Sequence, residues 1–91
     1  MSLSSNYVSL VNDVIVHPLN NRHIITASND GSIREFDYLQ VDARIATNNA
    51  TLTNTLFQQP YGLHTIDVDE ESSSLLITSQ AGKFWNLPLT P

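Results

Sequence analysis

Several groups of residues in this chain are of types that do chemistry. Asp67, Asp69, Glu70 and Glu71 crowd acidic oxygens into one short run, the donor type that hard cations such as calcium select. A calcium loop also needs a glycine at its sixth position and a carboxylate at its twelfth, and neither is present, so the run reads as a solvated turn. His17, His23 and His64 offer imidazole nitrogens. No two of them stand at a zinc-ligand spacing on one element, and each falls at a strand end or edge, which reads as a structural place. Ser28, His17 and Asp30 are the residue types of a hydrolytic triad, but the strained nucleophile turn and the glycine-lined oxyanion pocket are missing, and Asp30 already has a turn to serve. Tyr61 and Trp85 are aromatics of the kind that anchor protein interfaces, and packing between elements is their other reading. No catalytic residue, metal ligand or cofactor site is assigned, and the chain is not expected to be an enzyme.

Composition points the same way. A chain of 91 residues buries only about 60–65% of its unfolded surface, which leaves little margin of stability. Apolar residues at 41% suffice for a core, whereas 14% charged residues is low for a small free-standing domain and suggests surface meant to be covered. Four Lys and Arg against nine Asp and Glu give a net charge of −5 with no basic run, so neither nucleic acid nor a membrane surface is an expected partner. Cysteine is absent, and with it any disulfide frame or thiolate site. No signal-peptide pattern and no long apolar run occur, and a cytoplasmic or nuclear setting is expected.

The elements that must position these residues are β throughout. Val11 to Val16, VNDVIV, puts Val14 and Val16 on one face and Asp13 and Ile15 on the other, and Pro18 with Asn20 and Asn21 ends the run. His23 to Ser28 is a second strand and Ser32 to Phe36 a third, joined at Asn29-Asp30-Gly31 by a turn in which Asp and Gly tolerate the positive φ of a two-residue hairpin. Leu39 to Leu52 reads as a surface loop, and Thr53 to Gln58 as a fourth strand before the Pro60-Tyr61-Gly62 corner. The pattern then restarts. Leu63, Ile66 and Val68 repeat Val11, Val14 and Val16 at an offset of 52, while Leu75, Leu76, Ser79 and Gly82 repeat Ile24, Ile25, Ser28 and Gly31 at 51, one residue having left the first turn. Short strands recurring in phase at this period are the mark of radial or stacked repeat folds.

An apolar strand ending in His17-Pro18, a second ending in Ser28, the Asp30-Gly31 corner and Phe36-Asp37 in place of Trp-Asp together resemble a WD repeat, the unit of a β-propeller blade. In the second copy Ala81-Gly82 stands for Asp-Gly, and Trp85-Asn86 for Trp-Asp two residues early, which implies a shortened third strand. The resemblance implies an all-β fold of two antiparallel propeller blades in an incomplete ring. Residues 1–59 would form the first blade with a preceding outer strand and a following loop, and residues 60–91 a second, degenerate one. It further implies a structural network of Ser28, Asp30, Gly31, Phe36, Asp37, Gly82 and Trp85, with Asp30 accepting corner hydrogen bonds, Ser28 reaching toward Phe36, and Tyr7 near the place of the usual histidine.

In that family the repeat begins with the outermost strand of one blade. Tyr7 to Leu10 would be one such strand and Thr53 to Gln58 the next, and the last blade, ending near Leu87, lacks its own. Two blades cannot close a ring, since propellers take about four to eight. The remaining blades are expected from a longer chain, from copies of this one or from a partner. The function the resemblance implies is a non-enzymatic protein-protein interaction scaffold or adaptor; the alternative is an accessory propeller in a larger protein or enzyme whose chemistry lies elsewhere. The rhythm HPLNNRHIITASNDGSIREFD followed by a degenerate blade is similar to the end of a small WD-repeat nucleoporin of the Y-shaped nuclear pore scaffold, and adaptors of ubiquitin ligases, chromatin complexes and vesicle coats share it at this level. Partner-binding candidates on the narrow face are Asn12, Asn29, His64 and Gln80, whose other reading is plain surface polarity.

Overall fold

A computed structural model of the chain describes residues 10–37 and 51–89. Within them the architecture is all-β: two antiparallel sheets stacked on one another, with no helix, and hence no helix long and apolar enough to cross a membrane. The first sheet runs in the order β1-β2-β3-β4, with β1 Val11–Val16, β2 His23–Ser28, β3 Ser32–Asp37 and β4 Thr51–Gln58. The second runs β5-β6-β7, with β5 Leu63–Asp69, β6 Ser74–Ser79 and β7 Phe84–Pro88. The fourth strand starts at Thr51 rather than Thr53. The rest of the expected 39–52 loop and the expected outer strand Tyr7–Leu10, apart from Leu10, lie outside the described residues.

Alternation decides which side chains meet. On the front of the first sheet, Ile15 stands opposite Ile25, and Ala27 opposite Ile33. On the back of the second, Ile66 stands opposite Ile77 and then Trp85, and Val68 opposite Leu75 and then Leu87. These two faces form one core, in which Ile25, Ala27, Ile33, Leu63, Leu75 and Ile77 are fully buried. Each such branched side chain contributes about 1.5–3 kcal/mol. At its outer margin the Phe57 and Trp85 rings meet edge to face, 5.3 Å between centroids, a contact worth about 0.5–1.5 kcal/mol beyond burial. Val14 and Val16 lie on the back of the first sheet, 51% and 52% exposed. Leu76 and Phe84 lie on the front of the second, 44% and 80% exposed.

The repeat is geometric as well as textual. In β1 the pairing with β2 slips between Val11 and Asp13, and in β5 the pairing with β6 slips between Leu63 and Thr65. The same one-residue bulge therefore recurs, at Asn12 and at His64, 52 positions apart. The corners also match. The Gly31 N–H donates to Ser28 O and the Gly82 N–H to Ser79 O, at 3.1 and 3.2 Å. Each corner differs from the expected two-residue hairpin: three residues, 29–31, join β2 to β3, and of these only Gly31 has positive φ, at 86°. Asp30 is thereby released from backbone duty, and its side chain caps the corner instead.

Register also corrects the equivalence of the third strands. Phe36 stands opposite Ile24, and Leu87 opposite Leu75, so Leu87 holds the place of Phe36; Trp85, opposite Ile77, holds that of Arg34. The strand is shorter by one residue because it begins at Phe84, where the first copy begins at the counterpart of Lys83. The missing residue of the first turn shows itself as well. The His17–His23 connection spans five residues and the Asp69–Ser74 connection four, the latter closed by Ser73 at φ 52°.

A side chain at position 31 would face both positive φ and a Cβ 1.8 Å from Gln59 O, whereas at Gly82, φ 83°, the same atom meets open space. Gly82→Ala is expected to cost about 1–2 kcal/mol and Gly31→Ala about 3 kcal/mol or more, measured by urea unfolding. Equal losses would mean that the Gln59 connector yields freely. Ser73→Gly relieves a left-handed serine and is expected to be neutral or to raise stability by up to about 1 kcal/mol; a clear loss would show that this turn is held by the serine side chain.

Candidate interaction site

One end of the stacked sheets gathers the start of β1, the start of β5 and both hairpin corners, and it carries the four residues singled out from sequence. Asn12, Asn29, His64 and Gln80 are all exposed there. The bulge turns the Asn12 side chain out of the β1 alternation and across to the second sheet, where its Nδ2 donates to Leu63 O at 2.7 Å and to Asn29 Oδ1 at 3.1 Å. The Gln80 Nε2 donates to the same Asn29 oxygen at 2.8 Å. Next to Asn12, the Asp13 Oδ1 accepts from its neighbour Val14 N at 2.9 Å, and its Oδ2 accepts from Ile66 N at 2.9 Å. Three of the four candidates thus meet in one amide network that bridges the sheets; His64 stands beside it outside that network. Gly62 permits the approach, since a Cβ there would lie 2.8 Å from Gln80 Oε1 and 3.0 Å from Asn29 O.

The corner beside this network is built around Asp30. Its Oδ1 accepts from the Ser32 N–H at 3.1 Å and the Ser32 hydroxyl at 2.6 Å, and its Oδ2 from Arg34 at 3.0 Å. Partial burial pushes the Asp30 carboxyl up, but the Ser32 and Arg34 hydrogen bonds and the Arg34 charge outweigh it and hold the group below its ordinary 3.8. In the second copy, where Ala81 replaces the aspartate, the Ser79 hydroxyl accepts the equivalent N–H of Lys83 at 3.0 Å and that of Ala81 at 3.1 Å. The connector from β4 closes over this end: Gln58 Nε2 donates to Asp30 O at 2.9 Å, and Gln59 N to Gly31 O at 3.1 Å. Tyr61 is exposed here, with the Lys83 ammonium 5.3 Å from its ring centre.

The other network residues are placed differently from the expectation. Ser28 is buried at the end of β2, while Phe36 pairs with Ile24, four residues along that strand. At about 3.3 Å per residue this puts them about 13 Å apart, beyond the reach of a hydroxyl, so the antiparallel register rules out the expected Ser28–Phe36 approach. Trp85 is partly buried, packed against the margin of the core. His17 and Ser28 stand at opposite ends of the β1–β2 hairpin. The place expected for Tyr7 lies outside the described residues.

The far end holds a cluster that motif reading missed. Glu35 is buried between two histidines: His23 Nδ1 bonds its Oε2, and His17 Nε2 lies 3.8 Å from the same atom. His17 Nδ1 accepts from Leu19 N, which leaves its proton on Nε2, toward the carboxylate. Asp37, with Arg22 beyond it, flanks His23 at 3.7 Å. The signal was the hairpin register, which sets Ile25 against Glu35 and His23 against Asp37. Among the described residues no group of three or more His, Asp or Glu side chains has the arrangement to hold a metal ion. Asp67 and Glu70 are exposed at that end of β5, and Asp69 Oδ1 accepts from Glu71 N within the turn. An open cleft of about 300 Å³, lined by Pro18, Leu19, Val68, Glu70 and Ser73, lies between the turns.

No family model, curated protein or solved structure matches this chain.

Because the folded-state value of Asp30 is depressed, its stabilisation is in place above the unfolded-state value near 3.8 and is lost as pH falls through the lower folded-state value. Asp30→Asn is expected to cost about 1–2 kcal/mol at pH 7, with the gap to wild type closing below about pH 4; urea titrations at pH 7 and pH 3 measure it. A gap of equal size at both values would show that charge does not hold the corner. A double-mutant cycle of Asn29→Ala and Gln80→Ala is expected to return a coupling of about 0.5–1 kcal/mol, and strict additivity would mean that the bridging amides are merely adjacent.

Proposed function

We propose that this chain is a non-enzymatic protein-protein interaction scaffold, built as part of a WD-repeat-type β-propeller whose other blades come from outside these residues. The single observation that carries the reading is the repetition of one stacking unit. Both copies share the bulge, the corner hydrogen bond and the strand order, and among the described residues the first adds an outermost strand that the second does not have. Successive units of a propeller are related in this way, with their innermost strands side by side, as β1 and β5 are here.

Partners are bound, on this reading, at the end that carries Asn12, Asn29, His64 and Gln80. Asn12, Asn29 and Gln80 hold one another in place, so they offer a preorganised row of amides at small entropic cost. His64 and Tyr61 beside them have polar tips and apolar rings, the side-chain character that interfaces favour. The intracellular setting, and the similarity to a small WD-repeat nucleoporin, belong to this proposal on the strength of the sequence rhythm.

The test is site-specific photo-cross-linking. A photoreactive phenylalanine analogue replaces His64 or, as a control at the opposite end, Glu71, and each protein is irradiated in a lysate of its source cells. Discrete protein adducts are expected at 64 and not at 71. Equal labelling at the two positions, or none at either, would remove the proposed binding end.

A further inference from the structure

The stacking rule seen once between the two sheets has two unused halves. The front of the first sheet packs on the back of the second, through Ile15, Ile25 and Ala27 against Ile66 and Ile77. Moved by one repeat, the front residues Ile25 and Ile33 become Leu76 and Phe84, which are exposed on the second sheet. Moved back by one repeat, the buried Ile66 and the partly buried Val68 become Val14 and Val16, which are exposed on the first. The molecule therefore displays Leu76 and Phe84 at the place of one half of this interface, and Val14 and Val16 at the place of the other.

A related polar posture recurs on the second sheet, two residues beyond Thr65, the strict counterpart of Asp13. Asp13 ties one carboxylate oxygen to the N–H of its own neighbour and gives the other to the N–H of Ile66 on the next sheet. On the front of the second sheet Asp67 takes the same posture, with Oδ1 accepting from Val68 N at 2.8 Å. Its Oδ2 is engaged by no described residue and is presented to whatever strand comes next. A carboxylate held in this way is matched by a backbone N–H on an innermost strand, such as that of Val16.

We infer that a second copy of this chain docks head to tail on the first, laying the Val14 and Val16 face of its first sheet on the Leu76 and Phe84 face of the second. The interface is heterologous, because each copy contributes a different face, so it either closes into a ring or continues. With two sheets per chain, two to four copies give the roughly four to eight sheets that closed propeller-like rings contain. The inference deepens the scaffold reading by naming who supplies the missing sheets. The two can fail separately, because cross-links at position 64 report partner binding whatever the number of copies.

The experiment is a mixing test by light scattering on the 91-residue chain. Val14→Asp with Val16→Asp blocks the tail, and Phe84→Asp blocks the head. All three residues are exposed in a single chain, and far-UV circular dichroism checks that each variant keeps the wild-type fold; Val16→Thr and Phe84→Ser replace any variant that does not. Wild type is expected at a defined mass of two to four chains, and each variant alone at the 10.1 kDa of one chain. An equimolar mixture of the two variants is expected at twice that mass, since one intact head then meets one intact tail. A wild-type monomer overturns the inference, as does an oligomer that survives either variant, or a mixture that stays monomeric.

Discussion

The front of the first sheet and the back of the second bury their apolar side chains against each other, and the seam between β1 and β5 is where that mutual burial is fixed. Two polar side chains set it. Asn12 and Asp13 reach across from β1 to a carbonyl and an N–H of β5, which ties the backbones together at a defined offset before any side-chain packing is counted. Apolar contact alone is tolerant of sliding, because one branched side chain packs on a pleated surface much like another. The hydrogen bonds are not, and they supply the register that lets Ile25 and Ile77 fully exclude water.

The bulge is what makes the seam possible. A regular strand at Asn12 would alternate strictly, and its amide would follow the pleat; the extra residue re-aims it toward Asn29 and Leu63. Around it the chain uses different chemistry to the same end in the two copies. The N–H of the first residue beyond the corner is taken by the Asp30 carboxylate in one and by the Ser79 hydroxyl in the other. The first solution leaves a carboxylate oxygen to hold Arg34, and the second does not, so the same backbone geometry carries an ionic anchor on one side only.

Much of this was legible from residue order. The strands, their pairing within each hairpin and the offsets of 52 and 51 follow from alternation and from the placement of Gly31 and Gly82, because period-two patterns and obligatory glycines are local properties. That Asn12, Asn29 and Gln80 belong to one end was also readable, since each sits beside a strand terminus of the same polarity. Their mutual bonding was not, because it depends on how closely two sheets approach, and no local pattern encodes a distance between layers. The equivalence of Trp85 with Phe36 went astray for the opposite reason: residue type outweighed register, and register is what the backbone obeys. Glu35 was passed over because it alternates with apolar neighbours and looks like an outward charge until its strand is set against His23 and beside His17.

Among the described residues the second sheet ends at β7, which has a neighbour on only one side. Pro88 lacks an N–H and blunts the far end of that edge, but Phe84, Trp85, Asn86 and Leu87 carry no charge, and the near end of the edge offers strand geometry together with apolar side chains. Such an edge is a template for misassembly as readily as for assembly. What stands against it in the uncovered molecule is mutual repulsion from a net charge of −5. That repulsion vanishes near the isoelectric point of about 4.7, so mild acid is the condition under which this otherwise well-paired β protein is most prone to clump.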